Sequence, residues 1–132
     1  EGSKEMATLA RETIAINNLD EVVTVKHAVV GQKISLRESS TEENYSRVNP
    51  EELPDCDVIE LDCEGAEIGI LENMIIRPKA ILVETHGIYG APTSEVKSIL
   101  SDKGYDIISI QVAAPGDKYC IDNDIKVVSA AR

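Results

Sequence analysis

Phenylalanine and tryptophan are absent from this chain of 132 residues, and four tyrosines are its only aromatics among the three types. A core must therefore come from Ile, Val, Leu and Ala, and the length fits one domain with a modest core. Positive charge is also scarce: 13 Lys and Arg face 24 Asp and Glu, a net charge of −11 spread along the sequence. Nucleic-acid-binding domains normally show a basic face, so that class is disfavoured, as is docking on an anionic membrane surface. No apolar run approaches the ~20 residues of a membrane span, and no signal peptide is recognisable. The cysteines, Cys56, Cys63 and Cys120, are odd in number and lack a Cys-x-x-Cys spacing. They read as small apolar residues in a reducing, cytoplasmic compartment, not as a disulfide or zinc framework. The glycines form neither G-x-G-x-x-G nor G-x-x-x-x-G-K-[ST], so a phosphate-cradling loop of either kind is missing.

What is present is an alternation of strand and helix patterns. Residues 3–16 predict a helix capped by Ser3, with Met6, Leu9, Ala10 and Ile14 on one face and Asn17-Asn18 as its stop. Residues 22–30 are rich in β-branched side chains and predict a strand closed by Gly31, with 34–36 as a short return strand. Residues 38–57 are polar; the first part reads as a loop and the second as one helical turn started by Asn49 and Pro50. The run 58–61 predicts a buried strand, 66–74 a helix, and 79–85 a second buried strand. Thr93 or Ser94 would cap a helix that stops at Gly104. Segments 105–112 and 119–130 read as strands, the second interrupted at 122–124, and the two are expected to form an antiparallel hairpin. The middle alternation implies parallel strands joined by crossovers, hence an α/β sheet of Rossmann-like type, mostly parallel, with an antiparallel C-terminal edge.

The chemistry concentrates at two strand ends. Asp62, Glu64 and Glu67 lie where residues 58–61 run into a helix, with Gly65 between them. Open α/β sheets place ligands beyond the carboxyl ends of their strands. A plainer account has Glu67 favouring the helix N-terminus and the other two facing water. Glu84 and His86 end the next strand. Neighbouring parallel strands would bring Asp62, Glu64, Glu84 and His86 into one pocket, because adjacent strands lie about 5 Å apart. A carboxylate beside a histidine suits a general base. The same donors could ligate a divalent ion, although nothing in the spacing demands a metal. His27, with no carboxylate near it in sequence, reads as structural or exposed.

Asp57-Val58-Ile59-Glu60-Leu61-Asp62-Cys63-Glu64-Gly65-Ala66-Glu67, then Ile70-Leu71 and Ala80-Ile81-Leu82-Val83-Glu84-Thr85-His86, resembles the FkbM-type S-adenosylmethionine-dependent methyltransferases. The likeness extends more weakly to Glu1, to Asn17-Asn18-Leu19 and to Ala28-Val29-Val30-Gly31. It implies a Rossmann-like methyltransferase sheet with S-adenosylmethionine as cofactor and O-methylation of a small-molecule or glycan hydroxyl. By the same resemblance His86, Glu84 and Asp62 would be catalytic, with His86 the base. Glu1, Ala28, Asp62 and Glu64 would hold the cofactor, Glu1 at its ribose. The family's first strand and Gly-rich loop precede the position of Glu1, and its missing strands would lie between 22–30 and 58–61. The chain therefore reads as a single partial domain, N-terminally truncated, expected to bind the cofactor weakly or not at all on its own. A homo-oligomer remains open. The alternatives are a non-catalytic α/β binding module on the same scaffold, and a carboxylate-rich metal site serving a hydrolase.

Overall fold

The computed structural model describes residues 1–31 and 45–132, which form two compact units, Glu1–Val48 and Asn49–Arg132. In the first unit, helix α1 (Lys4–Ile16) begins at Ser3, whose Oγ accepts the Met6 N–H at 3.3 Å. It ends at Asn17, and Asn18 takes the left-handed conformation (φ 55°) that Asn tolerates. Only Ala7 is buried on this helix, while Met6 and Leu9 stay exposed, so the expected inward stripe is largely open. Strand β1 (Ala28–Val30) is shorter than the predicted 22–30. The Val22 and Val23 N–H groups donate to the Leu19 carbonyl, winding that stretch into a turn and removing it from any ladder. Strand β2 (Ser46–Val48) pairs in parallel with β1, inside a stretch whose polarity had suggested only loop. The predicted strand at 34–36 lies outside the described residues.

The second unit opens with a 3₁₀ turn, Pro50–Glu52, whose Glu52 carboxylate accepts the Asn49 N–H at 3.0 Å. Strand β3 (Val58–Leu61), helix α2 (Glu67–Asn73), strand β4 (Ala80–His86), helix α3 (Thr93–Asp102), strand β5 (Asp106–Val112), helix α4 (Lys118–Asp122) and strand β6 (Ile125–Ala131) follow. The sheet order is β3-β4-β6-β5, with β3 and β4 parallel and β6 antiparallel to both neighbours. The chain is thus an α/β protein with mixed sheets. Strand β6 does more than close a hairpin with β5: it also pairs along the whole of β4.

Position in the sheet explains burial. Strand β4 is paired on both sides and buries Ile81, Val83 and Thr85 on one face, whereas β3, among the described residues, is paired on one side only and leaves Val58 exposed. The buried-strand expectation therefore holds for β4 and fails for most of β3, where Leu61 alone is buried. Helix α3 packs on β4, β5 and β6 through Val96 and Leu100, both fully buried. Removing a side chain such as Leu100 from water contributes about 2 kcal/mol. Tyr105 fills the amino-terminal end of this core and donates its hydroxyl to the Pro78 carbonyl at 2.8 Å.

Two local readings are corrected. Residues 118–122 are a helical turn, not strand: Asp117 accepts the Tyr119 N–H at 2.8 Å, and Cys120 is the buried residue of that turn. Helix α3 is not capped by the Thr93 or Ser94 side chain. Thr93 is its first residue, and the capping carboxylate is Asp124, which accepts the Thr93 N–H at 2.8 Å and its hydroxyl at 2.9 Å. No helix among the described residues is long and apolar enough to cross a membrane.

Candidate functional site

The site lies at the carboxyl ends of β3 and β4. Their parallel register pairs Leu61 with Val83, so one further step sets Asp62 beside Glu84. Glu84 and His86 are two residues apart on β4 and share a face. From Asp62 the chain turns through Glu64 (φ 48°) and Gly65 (φ 107°) into α2. At Gly65 a Cβ would meet the Tyr89 carbonyl oxygen at 2.7 Å, so this turn needs glycine for both conformation and space. The close approach brings Tyr89 next to the site, where its ring stacks on His86 with centroids 6.1 Å apart.

Glu67, the first residue of α2, is fully buried beneath the turn. Its Oε1 accepts the Cys63 N–H at 2.9 Å and its Oε2 the Gly65 N–H at 2.8 Å. Oε1 also lies 2.9 Å from His86 Nδ1. Burial alone would raise the Glu67 pKa, but the His86 and backbone hydrogen bonds outweigh it and hold the carboxyl below its ordinary value. An ionised carboxylate only accepts, so His86 Nδ1 carries the hydrogen. His86, itself buried, has its pKa raised, first by that hydrogen bond and then by the charges of Glu67, Asp62 and Glu84, against the opposing effect of burial.

The other ring nitrogen faces the opening. His86 Nε2 lies 3.6 Å from Asp62 Oδ1 and 3.7 Å from Glu84 Oε1. The Glu84 carboxyl is pushed up by burial and by the charge of Asp62. Asp62, Glu84 and His86 offer ligand atoms within 4.8 Å of one another. Cys63 is no nucleophile here: burial and the Glu67 charge push its thiol up to about 12.

Of the residues singled out from the sequence, the structure brings together Asp62, Glu84 and His86. Glu64 is exposed and is not one of the three grouped side chains. Glu1 and Ala28 belong to the first unit, where the Ala28 N–H donates to the Glu1 carbonyl at 2.9 Å and Glu1 Oε1 accepts the Ser3 N–H at 2.7 Å. His27 Nε2 is 3.0 Å from the Gly2 carbonyl, a structural contact. The residue that sequence reasoning undervalued is Glu67. A Glu at a helix start has a sufficient local explanation, and only its pairing with His86, nineteen positions on, shows its place in the site. Comparison of the chain with protein-family models, curated proteins and solved structures finds no significant match.

Proposed function

We propose that this chain carries the acceptor side of an S-adenosylmethionine-dependent O-methyltransferase acting on a small-molecule or glycan hydroxyl, on a Rossmann-like sheet. The observation that carries the reading is the meeting of Asp62, Glu84 and His86 at adjacent strand ends, with His86 oriented by Glu67. The parallel β3–β4 pair and the antiparallel β6 support the sheet type. The cofactor supplies a methyl group on a sulfonium centre, and a carboxylate pair open to solvent suits a cation of that kind. Asp62 and Glu84 are the residues that fit; Glu1 fits less well, since its carboxylate already binds the Ser3 N–H.

The chain's own residues then act on the acceptor. Glu67 fixes the ring so that neutral His86 presents its Nε2 lone pair to the opening. A hydroxyl placed there would give its proton to Nε2. Tyr89 limits ring movement from the other side. In the complete gene product, release of demethylated cofactor should be detectable across a panel of sugar and phenolic alcohols. His86→Ala should abolish most turnover while leaving cofactor affinity nearly intact. Unchanged turnover removes His86 from the mechanism. No turnover with any acceptor favours the non-catalytic module, for which the locally bonded Glu1 already speaks.

A further inference from the structure

We propose that Asp62, Glu84 and His86 form a binding site for one divalent transition ion, best matched by Zn²⁺ and next by Mn²⁺, with Glu67 as the outer carboxylate that sets the ligating nitrogen. The inference goes beyond methyl transfer and stands without it.

The argument begins at His86 Nε2. The His86 side chain is only 7% exposed, and Nε2 is the ring nitrogen that Glu67 does not hold. Its nearest acidic oxygens, at 3.6 and 3.7 Å, lie beyond hydrogen-bond reach. With Nδ1 engaged by Glu67, Nε2 faces the two carboxylates, and a cation placed among the three side chains would be met by one imidazole nitrogen and two carboxylate oxygens. Metal-bound histidines characteristically donate their other N–H to a carboxylate, as His86 does to the fully buried Glu67.

The spacing fits as well. With bonds of about 2.1 Å, neighbouring ligand atoms of a tetrahedral zinc lie about 3.4 Å apart, so the 3.6 and 3.7 Å gaps at Nε2 need to close by only a few tenths of an ångström, and all three ligand atoms already lie within 4.8 Å of one another. One imidazole nitrogen and two carboxylate oxygens favour a borderline ion over Mg²⁺ or Ca²⁺. Asp62 and Glu84 are 61% and 31% exposed at the side chain, which leaves an entry path and an open coordination position. A hydroxyl taken up at that position would lose its proton more readily, to solvent, and His86 would then serve the ion instead of acting as base.

The test is calorimetric titration of the chelator-stripped chain with Zn²⁺, Mn²⁺ and Mg²⁺, without cofactor or acceptor, so that its result is independent of methyl transfer. A Cys56→Ser background removes the exposed thiol as a competing ligand. One equivalent of Zn²⁺ should bind, more tightly than Mn²⁺ and far more tightly than Mg²⁺. Asp62→Asn, Glu84→Gln and His86→Gln should each weaken Zn²⁺ by at least tenfold, and Glu67→Gln by about 10–100-fold. Asp62 is exposed, so its variant keeps the fold and remains informative if a buried variant does not. The Co²⁺-loaded chain should show a d–d spectrum without a thiolate charge-transfer band. Absence of a one-to-one event, affinity unchanged in Asp62→Asn, or a thiolate band from Cys63 overturns the proposal.

Discussion

Glu67→Gln preserves the shape of a fully buried side chain while exchanging one acceptor for a donor. The carboxylate serves three donors: Cys63 N–H and His86 Nδ1–H at Oε1, and Gly65 N–H at Oε2. A carboxamide has one accepting oxygen, so at best it keeps the Cys63 and His86 contacts and turns its NH₂ toward the Gly65 N–H. One buried donor left without an acceptor costs about 1–3 kcal/mol. Loss of charge weakens the two surviving bonds by about 1 kcal/mol each, partly offset because a neutral amide is cheaper to bury. The expected net loss is about 2–3 kcal/mol, or roughly 10 °C in Tm for a domain of this size. Urea unfolding followed by circular dichroism should show the midpoint fall with an unchanged slope. A double-mutant cycle with His86→Gln should give a coupling of about 1 kcal/mol or more, because the two side chains touch. A loss below about 0.5 kcal/mol with no coupling would mean that water replaces the carboxylate without penalty, and the buried Glu67–His86 bond could not be what orients the ring.

Three further outcomes follow from the same geometry. Gly65→Ala forces a Cβ to within 2.7 Å of the Tyr89 carbonyl oxygen at a φ of 107°, and should cost about 1–3 kcal/mol in thermal unfolding. Asp124 has its carboxyl held below the ordinary value of 3.8, where Lys126 and the Thr93 N–H and hydroxyl outweigh burial. Its contribution is therefore present above about pH 3.8 and lost as pH falls through the lower folded value. Asp124→Asn should be about 1 kcal/mol less stable than wild type at neutral pH, a gap that closes in acid melts. At pH 8 a disulfide reagent should label exposed Cys56, whereas Cys63, with its pKa near 12, has about one thiolate in ten thousand and should stay unlabelled.

The sequence made the second unit more legible than the first, and the difference is physical. The Ala-Ile-Leu-Val run of β4 and the spaced Val96 and Leu100 of α3 agree with the burial that tertiary packing imposes, so local pattern and fold point the same way. In residues 22–30 they conflict. The β-branched content suits a strand, but the N–H groups of Val22 and Val23 are taken by Leu19. At 118–122 the apolar Tyr119, Cys120 and Ile121 fit strand or helix equally, and the deciding feature is the Asp117 cap one residue upstream. The site shows the same limit. Convergence of Asp62, Glu84 and His86 follows from adjacent parallel strands, which a strand–helix–strand pattern announces. The exclusion of Glu64 follows from a left-handed turn residue, and the inclusion of Glu67 from burial beneath that turn, and neither has a signature at sequence spacing.

The end of β4 is held from both faces, and this bears on how His86 works. On one face the imidazole meets Glu67. On the other, Thr85 is fully buried, accepts the Lys126 N–H at 3.2 Å and sits 2.8 Å from the Thr93 hydroxyl, which donates to Asp124. The single Thr85 hydroxyl hydrogen has the Thr93 hydroxyl at 2.8 Å and the Asp124 and Lys126 carbonyls at 3.2 Å as acceptors, so it is matched in each case. The next residue, Gly87, runs so close to Asp124 that a Cβ would fall 2.7 Å from the Asp124 Cβ. The backbone under His86 is thereby fixed by β6 and α3, and the ring by α2, before any ligand arrives. Preorganisation of this kind means that a cation or hydroxyl need not order the imidazole on binding. It also places a burden on a residue outside the cluster. Loss of the Asp124 anchor should loosen the strand end and weaken whatever binds at Nε2, even though Asp124 does not take part in the cluster itself.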